Sequence, residues 1–309
     1  MKSDAPNIDF EPVPETAARA RISVVVLTYN RCAQVLETLS RLCALPEQPR
    51  VVVVDNGSTD GTPQQIAECF PYVTLIIAHT NLGAAGRNVG VSSVTTEYVA
   101  FCDDDTWWHA GSLQRAVQLL DSAPRVGVLN ARILVNEAGE ADDTCQFMAR
   151  SPLDAAGLPG PSLIGYMAGA CVFRTLLYRQ IGGYEPRLFI GGEEELVALD
   201  VLASGFAIVY ADELVLHHHP SPIRDSSLRR RMLARNAAWV AWMRLPWREA
   251  WNTTRVAIKI IRREGTFPRD AFSLFAALPW ALARRRAIPD DVARMRRAVH
   301  LAERTYTRY

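Results

Sequence analysis

The 309-residue sequence has no apolar run long enough to cross a bilayer: stretches such as residues 22–27 and 51–54 are strand-length, against the roughly 20 apolar residues a spanning helix needs. Residues 1–20 lack the apolar centre of a secretory signal and carry Pro6, Pro12 and Pro14, so they read as a loose leader and cytoplasmic residence is expected. Six cysteines include no C-x-x-C pair, which excludes a zinc knuckle and a dithiol redox motif and leaves reduced, mostly buried thiols. No H-E-x-x-H helix supports a zinc hydrolase, and no Gly-Lys-Ser/Thr loop supports a P-loop enzyme. Internal repeats are also missing.

What is present is an alternation that builds a core. Hydrophobic residues make up 49% of the chain, enough for one large domain with an added segment. Residues 22–28, 51–55, 73–78 and 97–102 are β-branched and apolar, the pattern of strands covered on both faces. Between them, residues 32–45 carry Val35, Leu36, Leu39 and Leu42 at helical spacing, and Thr62-Pro63-Gln64-Gln65 has the form of a capping box opening a second helix. Such alternation predicts an α/β fold with βαβ units and a mainly parallel sheet flanked by helices, with ligands beyond the carboxyl ends of the strands.

Polar clusters stand at those ends: Thr28-Tyr29-Asn30-Arg31, Asp55-Asn56-Gly57-Ser58, Asn81-Leu82-Gly83 and Asp103-Asp104-Asp105. Residues 126–135 and 164–174 read as further strands, and the Gly/Pro-rich loop 151–162 between them is placed to border an acceptor pocket. Residues 193–204 form a helical pattern ended by Gly205; short strands at 206–210 and 214–216 lead into His217-His218-His219.

Three carboxylates emerging together at Asp103, Asp104 and Asp105 repel one another unless a cation joins them. Mg²⁺ or Mn²⁺, which takes a few carboxylates and completes its shell with substrate phosphate oxygens, answers that need; a solvated turn is the structural alternative. Asp55 is suited to accept from a base N–H, although Asp-Asn-Gly-Ser is also an ordinary turn. The small residues of 81–88 leave backbone N–H groups and Arg87 free to meet a diphosphate. Glu193, Glu194 and Glu195 suit the first turn of a helix electrostatically, and any one of them can serve as a general base. A histidine of 217–219 can reach a metal, and side-chain alternation allows no more than two of them to face one site.

In this order, VVVLTYNR, VVVDNGSTDGT, NLGAAGRNVG, FCDDD, GYMAGACVF and IGGYEPRLFIGGEEEL, with a histidine beyond, the motifs resemble the inverting glycosyltransferases of family 2 over residues 21–220. The resemblance implies a GT-A fold and transfer of a sugar from a nucleotide-diphosphate sugar to a hydroxyl acceptor: a glycan, a lipid-linked glycan or a small molecule. It implies that Thr28, Asn30, Arg31, Asp55, Arg87, Asp103 and Asp104 bind the donor. Asp103 and Asp105 would handle the metal with His217, or with His218 or His219. Glu194 aligns best with the catalytic base, with Glu193 and Glu195 open because this segment departs from the usual Gly-Glu-Asp-x-Asp pattern. Trp107 and Trp108 resemble an aromatic wall beneath the acceptor, with core packing the alternative. A sugar nucleotidyltransferase or a non-catalytic sugar-binding scaffold remain the rival readings.

Beyond residue 220 the composition shifts. Residues 221–309 hold 20 Lys and Arg against 7 Asp and Glu, while the rest of the chain is net acidic. The expected organisation is therefore a leader (1–20), a catalytic domain (21–220) and a basic helical region (221–309). Within the last, residues 226–248 and 279–297 mix Arg with Trp, Leu and Met, as do helices that lie in a membrane interface or pair in a homodimer. Nucleic acid is not an expected partner, since no recognised module accompanies the arginines.

Overall fold

The computed structural model describes residues 21–136, 139–220, 226–264 and 267–306; the leader expected over 1–20 lies outside them. The first half runs β1 (Ile22–Thr28), α1 (Cys32–Cys43), β2 (Arg50–Asp55), α2 (Thr62–Cys69), β3 (Thr74–Ile77), α3 (Gly86–Ser93) and β4 (Tyr98–Asp103). These four strands pair in parallel in the order β3-β2-β1-β4, with Thr28 level with Asp55 and Leu27 level with Asp103. The polar clusters thus reach one edge. Valines at 24–26 and 51–54 are buried, as strands sandwiched between helix layers require. At α2 the cap is one step earlier than the capping-box reading: Gly61 is the N-cap residue, and the Asp60 carboxylate accepts from the Thr62 N–H and hydroxyl.

The second half adds β5 (Thr106–Trp108), α4 (Ser112–Ser122), β6 (Val126–Val135), β7 (Glu140–Ala141), α5 (Asp143–Ala149), β8 (Ser162–Leu163), β9 (Cys171–Arg174), α6 (Thr175–Gln180), α7 (Glu193–Ala203) and β10 (Ala207–His218). The sheet continues β4-β9-β6-β10-β5. Here the parallel expectation gives way. β6 and β10 are parallel, but β9 enters from the edge where β4 ends, so it runs antiparallel to both β4 and β6. The strand expected from residue 164 begins only at Cys171. The two short strands expected at 206–210 and 214–216 are one strand, β10, interrupted by a bulge between Ala211 and Val215.

Among the cysteines, Cys102, Cys145 and Cys171 are buried, but Cys43 and Cys69 are exposed, a departure from mostly buried thiols.

The C-terminal region comprises α8 (Ser226–Arg244), α9 (Trp247–Arg263), α10 (Phe267–Ala276), α11 (Leu278–Ala283) and α12 (Asp290–Tyr306). The change of composition at 220 is not a break in packing. Trp239, Val240, Ala241, Trp242 and Met243 of α8 belong to the same buried cluster as the sheet. The indole N–H groups are satisfied internally: Trp239 donates to the Leu274 carbonyl (3.0 Å) and Trp242 to the Thr254 hydroxyl (2.8 Å). Arg244 forks onto both oxygens of Asp200 in α7. Of the tryptophans in residues 226–248, Trp239 and Trp242 therefore face inward, whereas Trp247 is exposed. No helix among the described residues is long and apolar enough to cross a membrane.

Candidate active site

A cleft of about 700 Å³ opens at the carboxyl edge of β1, β2 and β4 and is lined by Thr28, Arg31, Arg87, Asp103, Asp104, Asp105, Glu193, Glu194 and His218, among others. The acidic cluster is balanced from within the chain. Arg31 places one nitrogen 3.2 Å from Asp104 Oδ1 and 3.1 Å from Asp105 Oδ2. Asp104 also accepts from the Thr28 hydroxyl at 3.2 Å, and its main-chain oxygen accepts from Thr38 in α1 at 2.8 Å. Burial pushes the Asp104 carboxyl up to about 7, opposed by Arg31. Asp103 pairs instead with the buried Arg87, whose guanidinium lies over the Tyr184 ring. Close passage of the chain at residue 169 leaves room for Asp103 only because that residue is glycine: a Cβ there would stand 2.7 Å from Asp103 Oδ2.

Glu194 lies in the first turn of α7, and the Ala168 N–H approaches its Oε1 at 3.4 Å. Burial raises its carboxyl to about 7, with Glu193 adding to the rise and Arg87 opposing it. Glu193 also lines the cleft. Glu195 does not: it points to α12 and pairs with Arg296 at 3.1 Å. Successive residues of a helix face about 100° apart, so one member of a triplet turns away.

Of the three candidate histidines, the structure brings His218 to the carboxylates. His218 Nε2 is 3.7 Å from Asp105 Oδ1, whereas His217 faces the opposite side of β10, stacks on Trp107 and meets His109 at 3.0 Å. Strand alternation decides this, and burial lowers the His217 imidazole below its usual value. The His219 ring sits edge-on to Trp107, away from the carboxylates. Trp108 is fully buried in the core, and Trp107 is covered by His217 and Arg41, so neither tryptophan lines the cleft as an acceptor wall. Nor does loop 151–162 border it; residues 166–170 take that place.

Asp55 is buried below the cleft floor. Its Oδ1 accepts the Gly57 and Ser58 N–H groups at 3.1 and 2.8 Å, as in an Asx turn, while its Oδ2 is buried without a hydrogen-bond partner among the described residues. Asn30 acts between loops: its N–H donates to Ser58 and its side-chain oxygen accepts the Thr59 N–H. Tyr29, 43% exposed at the cleft wall, and Asn56 and Asn81 also line the cleft, and all three sit inside the polar clusters at the strand ends. Asn236 of α8 is fully buried and directs its amide N–H group at the carbonyls of Leu188 (2.6 Å), Ile190 (3.1 Å) and Gly191 (2.7 Å). That clamp fixes the loop leading into Glu193 and Glu194. No local signal marks it, because the partners lie more than forty residues away.

The same loop touches the turn that opens α3. The Phe189 carbonyl accepts the Ala84 N–H at 2.7 Å. Gly83 has φ +59, and a Cβ there would fall 2.1 Å from that carbonyl. Gly83→Ala should therefore destabilise the protein by about 2 kcal/mol or more, read as a lower thermal midpoint; an unchanged midpoint would show that the two loops do not meet this tightly.

A curled mixed sheet with a carboxylate-rich cleft at its parallel strand ends defines a GT-A nucleotide-sugar transferase. Solved structures share this architecture. The mannosyltransferase PcManGT of Pyrobaculum calidifontis, in complex with GDP-Man and Mn²⁺, superposes with a TM-score of 0.57 at 22% identity, over 96% of this chain and 79% of that one. S. aureus TarS 1–349 with UDP-GlcNAc gives 0.55 at 17% identity, covering 92% of each. The sequence profile of glycosyl transferase family 2 matches residues 23–179, half of the chain, and the protein belongs to that family. It is a glycosyltransferase that moves a sugar from a nucleotide sugar. It is 25% identical to the N-acetylglucosaminyl-diphospho-decaprenol L-rhamnosyltransferase of Mycobacterium tuberculosis, across 64% of this chain and 76% of that enzyme. It is also 27% identical to a pre-mycofactocin glycosyltransferase from the same organism, where it spans 49% of the relative's length.

Proposed function

We propose that the protein transfers the sugar with inversion of configuration, assisted by a divalent cation, and that Glu194 takes the proton from the acceptor hydroxyl. The observation that carries this reading is a buried carboxyl raised to about 7 in the same cleft as Arg87 and three aspartates. A base poised near neutrality removes a hydroxyl proton without being permanently protonated. Direct displacement at the anomeric carbon would need only this one carboxylate on the acceptor side, with the nucleotide diphosphate leaving from the other face.

The cation test rests on the donor set. Among the described residues no three His, Cys, Asp or Glu side chains form a ready-made cage. Carboxylate and imidazole at Asp105 and His218, with Asp103 exposed nearby, nevertheless suit a hard cation that completes its shell with diphosphate oxygens. Asp105 and His218 would hold Mn²⁺ or Mg²⁺, joined by Asp103. When bound, the ion would neutralise charge on the departing nucleotide diphosphate. Arg31, Thr28 and Asp104 would position the donor and Arg87 would lie near its diphosphate, while Asp55, fully buried outside the lining, would hold the turn at Gly57 and Ser58. Residues 21–220 would form the catalytic unit and residues 221–309 its support.

The acceptor is a hydroxyl on a glycan, a lipid-linked glycan or a small molecule; the lipid-linked substrate in the rhamnosyltransferase's name supports the second. The test is nucleotide-diphosphate release from UDP-, dTDP- and GDP-sugars with Mn²⁺, Mg²⁺ or chelator. Asp105→Asn should cut turnover by about 10²-fold or more. Turnover indifferent to both chelation and this substitution would remove the metal-assisted reading.

A further inference from the structure

Outside the cleft, α9 carries the most distinctive surface. Its buried side is narrow and small: Ala250, Thr254, Ala257 and Ile261 face α8 and its neighbours. The opposite side exposes Trp247, Arg248, Trp251, Arg255, Lys259 and Arg263. On a helical projection the two tryptophans form one margin and the cations fill the adjoining arc. Its one acid, Glu249, is turned aside and held by Arg296 and Arg297 of α12, so no carboxylate interrupts the arc.

The tryptophans are placed, not merely left over. Trp247 and Trp251 are 55% and 54% exposed, yet each rests edge-on against the buried Trp242, with ring centroids 5.7 and 5.0 Å apart. Arg285 covers one face of Trp247 at 3.8 Å and leaves the rest of the ring in water. Large rings braced from below keep apolar area in solvent at little further entropy cost on burial. Arg248, Arg255 and Lys259 enter no ion pair with a described residue, in a region that is strongly net positive.

We propose that this face of α9 is a docking surface for an anionic lipid membrane, with Trp247 and Trp251 entering the headgroup layer and Arg248, Arg255 and Lys259 lying against lipid phosphates. Charge complementarity selects the occupant's sign. The indoles select its kind, because a ring with an apolar body and an N–H tip is suited to the boundary between hydrocarbon and water. Nucleic acid answers the charge alone and gives the paired rings no apolar layer to enter. The surface takes Trp247 and Arg248 from the end of residues 226–248, whose Trp239 and Trp242 are spent on the core, and continues along α9 beyond that segment. It also stands apart from donor chemistry, so it holds or fails independently of the transfer reaction.

The experiment is flotation of the full chain with vesicles of phosphatidylcholine alone or mixed with phosphatidylglycerol, at low and high salt. Wild type should float with the anionic vesicles, its tryptophan emission shifting to the blue, and release in high salt. Arg255→Glu with Lys259→Glu should weaken binding by about tenfold or more, since each cation near a charged surface contributes substantially. Trp247→Ser with Trp251→Ser should abolish the blue shift; the loss of contacts with Trp242 lowers the midpoint somewhat, and retained folding is checked by a cooperative thermal transition and unchanged donor turnover. Equal flotation of wild type and both variants would overturn the proposal. So would failure to float with anionic vesicles, or displacement from them by duplex DNA with no change in emission.

Discussion

Glu194→Gln should be more stable than wild type at pH 8 and nearly inactive. Glutamine keeps the shape of the side chain and remains neutral, whereas the native carboxyl must ionise in a buried setting. Its folded value of about 7 lies above the ordinary 4.5. The folded state therefore holds its proton more tightly than the unfolded chain, and stability is full below about 4.5 and declines as pH rises towards 7. The loss is on the order of 3 kcal/mol above pH 7, and the glutamine variant escapes it. Thermal midpoints measured from pH 4 to pH 8 should show the two proteins separating as pH rises; parallel curves would mean that Glu194 is not strained by ionisation. Turnover of the variant should fall about 10²- to 10⁴-fold, and wild-type turnover should climb with pH through about 7. Asp104 titrates in the same range in both proteins, so the difference between them isolates Glu194.

A chain ending at residue 220 should not fold, although the family match stops at residue 179. Cutting there uncovers the surfaces that hold Trp239, Val240, Trp242 and Met243, and large side chains of this kind each contribute roughly 1.5–3 kcal/mol on burial. Against a typical net stability of about 5–15 kcal/mol, that loss is decisive. Urea unfolding followed by circular dichroism should give no cooperative transition for the fragment. Arg244→Ala supplies a graded version. Asp200 loses both of its hydrogen bonds to Arg244 and is about 20% exposed, so the cost should be about 2–3 kcal/mol, less than for a fully buried pair. A fragment that unfolds cooperatively would show that residues 21–220 are a self-sufficient unit.

The valine runs of β1 and β2 are buried on both faces, and local pattern is enough to read such strands. The rim clusters were legible for a related reason: parallel strands all end on one edge, so order along the chain becomes nearness in space. Where the structure departed from expectation, register or distant packing decided. A one-residue step along β10 separates His218 at Asp105 from His217 at Trp107, and three histidines in a row carry no mark of which faces in. The acids of α7 divide likewise, Glu194 into the cleft and Glu195 to Arg296. Trp107 and Trp108 follow the aspartates closely enough to invite a ligand role, yet Trp108 fills the core. The arginine-rich tail looked like a surface segment because Arg244 and Trp242 find their partners far away or on another helix.

One buried amide joins the two ends of this molecule. Asn236 belongs to the helical tail, but its hydrogens rest on the turn that aims Glu194, and that turn in its own right holds Ala84 at the start of α3. Chimeras that exchange tails between relatives to swap what they glycosylate would inherit a chemical step along with a binding preference. Grafts lacking an equivalent hinge pin would arrive with every cleft side chain correct and the Glu194 carboxyl aimed elsewhere.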